Sequence, residues 1–127
     1  MANKELIAEW IKLAKEDFEL ASYLVDEEIF YRAALWHLQQ AVEKYTKAYL
    51  ISKGWELRKI HDLEILFDEA SKFHPAFKSH LDFGRELNAF YTESRYPPLD
   101  EEDPSSTEAK TLLKKTKEFI RMVEGLF

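Results

Sequence analysis

Long stretches of this sequence contain no residue that breaks a helix, and this constrains the fold more than any other feature. The chain has only three glycines and four prolines in 127 residues, and three of the prolines fall within residues 97–104. Between these breakers, apolar side chains recur at three- and four-residue steps, which places them along one face of a helix. We find no strand-like alternation and no internal repeat. The pattern predicts an all-α chain.

Five helices follow from the positions of the apolar residues, at about 5–25, 30–53, 62–73, 76–93 and 106–125. Gly54 is expected to cap the end of the second helix, and Ser105 with Glu108 forms a capping box before the last. Most connections are short, which favours antiparallel neighbours. We therefore predict one domain over residues 1–127, an up-and-down antiparallel bundle of four to five helices. Its most buried side chains are expected to include Trp10, Leu38, Ala41, Tyr45, Leu63, Leu66 and Phe119.

Composition and charge narrow the classes of function. The absence of cysteine excludes disulfides and thiolate metal sites, and it is consistent with a cytoplasmic protein. Lys4, Glu5 and Glu9 interrupt any apolar run at the start, so no signal peptide is expected, and no window approaches the ~18 apolar residues of a membrane span. The net charge of −6 disfavours a broad surface that follows nucleic-acid phosphates. RNA is therefore a less favoured partner than a single nucleotide.

The segment HLQQAVEKYTKAYL (37–50) carries polar residues in a helical pattern. On one continuous helix His37, Gln40, Lys44 and Lys47 fall within roughly 80° of one another, at the border of the apolar face. Two interpretations are open. The stripe is either a solvated flank whose lysine stems cover the edge of the core, or a surface that contacts a ligand or a partner.

Two further groups of residues lie at helix ends. His61 and Asp62 precede the third helix, where Asp62 suits an N-cap and His61 either packs or takes part in chemistry. Tyr91, Arg95 and Tyr96 lie near the end of the fourth helix, where an arginine either closes the helix or holds a phosphate. The tyrosines offer rings on which a base could stack. Together with the stripe, these five residues are our candidates for ligand or partner binding.

Four pieces of the chain, taken in their order along the sequence, resemble the HEPN domain family, which is named for its occurrence in higher eukaryotes and prokaryotes. The resemblance covers nearly the whole chain and implies a helical bundle, commonly dimeric. In prokaryotes such a protein is often encoded beside a small nucleotidyltransferase, and many such pairs look like toxin–antitoxin modules. Members have been proposed to bind nucleotides or to act as metal-independent ribonucleases. The pieces are Trp10, Ala14, Asp17 and Ala21, then HLQQAVEKYTKAYL, KIHDL (59–63) and FYTESRYP (90–97).

The sequence departs from the motif that the ribonuclease members carry, Arg-x(4–6)-His near the end of the bundle. Counting from Arg95, positions 100–102 hold three carboxylates, which repel a phosphate and cannot replace an imidazole near neutral pH. One Arg-x(4)-His string occurs at Arg32 and His37. On a continuous helix these two point about 140° apart, and they lie in the wrong element. We therefore assign no catalytic residue.

Metal sites of the ferritin type need Glu-x-x-His pairs, and none exists. The residues three before the four histidines are Ala34, Arg58, Ser71 and Phe77. We accordingly expect no metal and no cofactor. The sequence favours a binding and interaction subunit, homodimeric, that pairs with a small nucleotidyltransferase or binds a nucleotide. A metal-independent ribonuclease is the alternative, with the histidines at 37, 61, 74 and 80 as its only candidates, of which His74 and His80 are read as bystanders.

Overall fold

The computed structural model describes residues 3–91 and 103–127, and within them it is all-helical with no strand. The all-α prediction is confirmed. The difference is in the number of helices, because the helix expected at 76–93 is divided in two. The six helices are α1 (Lys4–Asp26), α2 (Tyr31–Ser52), α3 (Leu63–Ser71), α4 (Ala76–Ser79), α5 (Leu81–Asn88) and α6 (Ser106–Glu124).

The long helices α1 and α2 form an antiparallel hairpin. Trp10 of α1 lies beside Lys47 of α2, whereas Asp17 lies beside Lys44 and His37, so the chain directions are opposed. Both helices bury small side chains, which suits close packing. The fully buried alanines are Ala14 and Ala21 of α1, and Ala34, Ala41 and Ala48 of α2.

Helix ends behave as their local sequences predict. Gly54 follows α2 with φ +87°, a backbone conformation that glycine adopts without strain. The Ser105 side chain accepts a hydrogen bond from the Glu108 N–H at 3.0 Å and begins α6. Asp62 accepts one from the Glu64 N–H at 2.8 Å and begins α3. No helix in the described ranges is long and apolar enough to cross a membrane.

The break between α4 and α5 falls at His80 and has a packing reason. On a continuous helix Phe77 and Phe83 would point about 120° apart. The break turns both rings into the core, where each contacts the Phe119 ring of α6. His80 itself packs edge-on against Phe119, with ring centroids 5.4 Å apart, and burial lowers the pKa of His80. It therefore helps to cover the core and does not stand on a purely polar helix face.

The predicted core is confirmed for six of its seven members. Leu38, Ala41, Tyr45, Leu63, Leu66 and Phe119 are all buried. Trp10 is the exception, because it lies at the edge of the α1–α2 contact and is only half-buried. The Lys47 ammonium lies 5.7 Å from the centre of its ring and covers one face of the indole.

Gly84 allows α5 to pack closely on α3, and this generates a stability prediction. A Cβ at position 84 would lie 2.7 Å from Phe67 Cε2, and the Phe67 ring is buried among other aromatic rings. We expect Gly84→Ala to lower the free energy of unfolding by about 1–3 kcal/mol in urea denaturation, although alanine usually favours a helix. The control is Gly125→Ala, whose Cβ meets nothing closer than 3.4 Å. A Gly84→Ala protein as stable as the parent would show that the Phe67 ring moves aside.

Candidate functional site

The Asp17 carboxylate of α1 contacts two residues of the polar stripe on α2. The Asp17 side chain is mostly buried, and its Oδ1 lies 2.9 Å from His37 Nδ1. Its Oδ2 accepts a hydrogen bond from Lys44 Nζ. The Lys44 charge is thus already neutralised inside the hairpin. Replacing Lys44 would leave the Asp17 carboxylate with His37 alone, so we expect such a change to lower stability as well as to remove a charge.

Lys47, the last residue of the stripe, forms a buried ion pair. Lys47 Nζ lies 3.2 Å from Glu43 Oε2, one helical turn away, and the two side chains are only 3% and 4% exposed. Gln40 donates to Gln39 Oε1 at 2.7 Å. All four stripe residues therefore have partners within the monomer, and the stripe forms the edge of the α1–α2 contact. Lys47 in particular is too buried to reach an external phosphate.

The Glu43 carboxylate also fixes His61, which follows α2 across the connection 53–62. His61 Nδ1 lies 3.1 and 3.2 Å from the two Glu43 oxygens. The His61 carbonyl accepts a hydrogen bond from the buried Gln39 amide at 2.9 Å. On one face the imidazole is stacked by the Tyr91 ring, with centroids 5.0 Å apart and planes inclined by 21°. Two contacts thus hold the His61 ring and a third fixes its backbone, yet the side chain remains 37% exposed.

Asp62 connects the start of α3 to the end of α5. Besides capping α3, its Oδ1 accepts from Asn88 Nδ2 at 2.8 Å. Asn88 in turn accepts from the Leu63 N–H at 2.9 Å. The N-cap interpretation of Asp62 agrees with this geometry, and the carboxylate serves mainly to hold two helix ends together.

These groups border an open cleft of about 420 Å³. The structure brings three of the candidate residues together here: His61, Asp62 and Tyr91. Lys59 is exposed at the rim and adds a positive charge. The cleft is lined by Lys59, Ile60, His61, Asp62, Ile65, Asn88 and Tyr91.

The remaining candidates lie elsewhere in the structure or outside the described residues. His37 and Lys44 belong to the Asp17 cluster on the hairpin, and Arg95 and Tyr96 lie outside the described residues. Glu43, which links Lys47 to His61, is not among the residues predicted from the sequence. Its position four residues before Lys47 was the available signal, because that spacing places two side chains together on a helix. Within the described ranges no group of three histidine, aspartate or glutamate residues is placed to hold a metal ion.

Comparisons with known proteins agree on one family. The model of the HEPN domain matches residues 7–126. The chain is also similar to the crystal structure of an archaeal HEPN homologue, with a TM-score of 0.73 and 28% sequence identity. That match covers 94% of this chain and 96% of the homologue. No curated protein matches the sequence.

The buried Glu43–Lys47 pair generates a second stability prediction. Lys47→Met leaves the Glu43 carboxylate buried with only the His61 imidazole beside it, so the free energy of unfolding should fall by about 3–5 kcal/mol. Replacing both residues, by Glu43→Leu and Lys47→Met, removes the uncompensated charge, and the double variant should lie within about 1 kcal/mol of the parent. Urea denaturation of both single variants and the double variant measures the coupling. A Lys47→Met protein as stable as the parent would mean that water reaches Glu43.

Proposed function

Because this chain belongs to the HEPN domain family, we propose that it is a binding subunit that holds a nucleotide in the cleft beside His61 and Tyr91. The observation that carries the proposal is the fixed imidazole of His61. Glu43 and Tyr91 contact the ring and Gln39 binds the backbone carbonyl of the same residue, yet more than a third of the side chain faces solvent. A side chain positioned this firmly before any ligand arrives loses little entropy when it binds one.

The chemistry of the cleft suits a nucleotide better than a long nucleic acid. The stacked His61 and Tyr91 rings offer aromatic surface to a base, and Lys59 offers one cation to a phosphate. A single nucleotide has few phosphates and needs few cationic side chains, whereas a protein that follows the backbone of a nucleic acid needs many. Lys44 and Lys47, the two cations of the polar stripe, are occupied by Asp17 and Glu43.

One observation also favours the alternative function, a metal-independent ribonuclease. An imidazole whose Nδ1 faces a carboxylate has the orientation of a general base, with Nε2 left for the substrate. Cleavage of RNA without a metal also needs a general acid or a cation at the scissile phosphate, and Lys59 is the only cation among the described residues that line the cleft. Binding without rapid cleavage therefore remains our proposal.

Nucleotide binding is tested by calorimetric titration of the protein with AMP and ATP. We expect saturable binding that Lys59→Glu and His61→Ala each weaken by at least about tenfold, or ~1.4 kcal/mol. Lys12→Glu makes the same charge reversal at an exposed site on α1 and should leave the affinity unchanged. Absence of saturable binding would refute the proposal. RNA cleavage that persists in chelator and disappears in His61→Ala would replace it by the ribonuclease function.

We further propose that two copies associate through the outer face of the α1–α2 hairpin. Five of the nine large hydrophobic side chains that the described residues expose lie on this hairpin. Phe30 is the most exposed, at 72%, and it has φ +50°, a conformation uncommon for an aromatic residue. Contact between two copies would remove these apolar side chains from water, which favours association. The five are Leu13, Leu20, Tyr23, Ile29 and Phe30.

Light scattering at micromolar concentration should give the mass of a dimer. Leu20→Glu places a charge in the proposed interface and should give a monomer with unchanged helix content. The control is Leu57→Glu, because Leu57 is similarly exposed, at 49% against 43% for Leu20, but lies outside the hairpin. A monomeric parent would contradict dimerisation, and equal dissociation by Leu57→Glu would contradict this choice of surface.

The resemblance to HEPN proteins also supports a small nucleotidyltransferase as the partner protein, in a toxin–antitoxin-like pair. Identification of the proteins that co-purify with this chain from its native host tests that part of the proposal. If the purified complex contains no nucleotidyltransferase, the partner has to be sought in another class.

A further inference from the structure

A second cleft, of about 490 Å³, lies between α3 and the α4–α5 pair. Its interior is apolar, because the side chains of Phe67, Phe77 and Leu81 line it. Ile65 stands at its edge with 49% of its surface exposed. This volume falls within the ~300–1,000 Å³ of pockets that accept sizeable ligand groups. The groove thus has room for a large apolar side chain from another molecule.

The rim of this groove is acidic. Glu64 is paired with Arg85 at 2.9 Å, and the same guanidinium lies 3.5 Å from Asp82. No cation of the described residues lies within ion-pair distance of Asp68, which is exposed on α3. Among the residues that line the groove, three carboxylates stand against one cation, which leaves the rim negative. The carboxylates are Asp62, Glu64 and Asp68, and the cation is Lys78.

We propose that this groove docks a basic amphipathic helix of a partner protein. An apolar residue of that helix would fill the space between Ile65 and Leu81, and its flanking lysines or arginines would face Asp68 and Asp62. Burial of the apolar group supplies affinity, while the opposite charges steer the approach and select the partner. An anionic partner such as a nucleic acid would meet the same rim with the wrong sign.

A second copy of this chain does not match the groove. The most basic exposed helix face is on α6, which presents Lys114, Lys117 and Arg121 to solvent. The apolar residues of that helix are turned into the core, so α6 has no anchor to insert. The groove is distinct from the cleft beside His61, because the two linings share only Asp62 and Ile65.

The test uses a fluorescein-labelled synthetic helix of about 14 residues built from leucine and lysine, with leucines at i, i+3, i+4 and i+7. Its anisotropy should rise on titration with the intact protein. A scrambled peptide of the same composition lacks the apolar face and should bind at least about tenfold more weakly. Equal binding of the two peptides would overturn the proposal, because it would show attraction by charge alone.

Variants of the protein locate the site. Asp68→Lys and Ile65→Glu change exposed residues, and each should weaken binding of the ordered peptide by about tenfold or more. Glu9→Lys makes the same charge reversal as Asp68→Lys at an exposed position on α1, and it should change the affinity less than about twofold. Equal weakening by Glu9→Lys and Asp68→Lys would contradict the groove. Lys59→Glu should leave peptide binding unchanged, so failure of the nucleotide proposal and failure of this one are separable.

Discussion

The candidate site depends on the contacts that the buried Glu43 carboxylate makes with Lys47 and His61. Desolvation of an unpaired charge costs several kcal/mol, so a side chain this buried needs partners close by. Lys47 supplies one from the same helix, and His61 supplies the other from the connection after α2. The connection therefore has to return across α2, and this places His61 where Tyr91 stacks on it. One internal charge thus determines where the exposed imidazole stands.

Most of the fold was predictable because its determinants are local. Periodicity places the apolar face of each helix, and capping residues such as Gly54 and Ser105 mark helix ends without reference to the rest of the chain. The break at His80 was not predictable in this way. It exists because Phe77 and Phe83 both reach Phe119, which is far away in sequence. No pattern within residues 76–93 reports that distant ring.

In the candidate site, too, the features that depend on local sequence were predictable. The position of the polar stripe at the edge of the apolar face was predicted correctly from helical geometry, and the capping role of Asp62 was readable from its place before α3. The side chains that pair with these residues from other helices could not be predicted. Lys44 pairs with Asp17 of α1, and His61 pairs with Glu43 of α2, and neither pairing leaves a periodic signal in the sequence. Residues that looked free in a helical projection are therefore occupied.

This internal pairing changes where binding is to be sought. The hairpin uses Lys44 and Lys47 in internal ion pairs, so neither lysine is available to a ligand. Exposed charges do lie beside the two clefts, where Lys59 stands at the His61 cleft and Asp68 at the groove. Asp62 forms a wall of both, and its bonds to the Glu64 N–H and Asn88 keep that wall in place. The net charge of −6 conceals this distribution, because a sum over the chain does not distinguish paired charges from exposed ones.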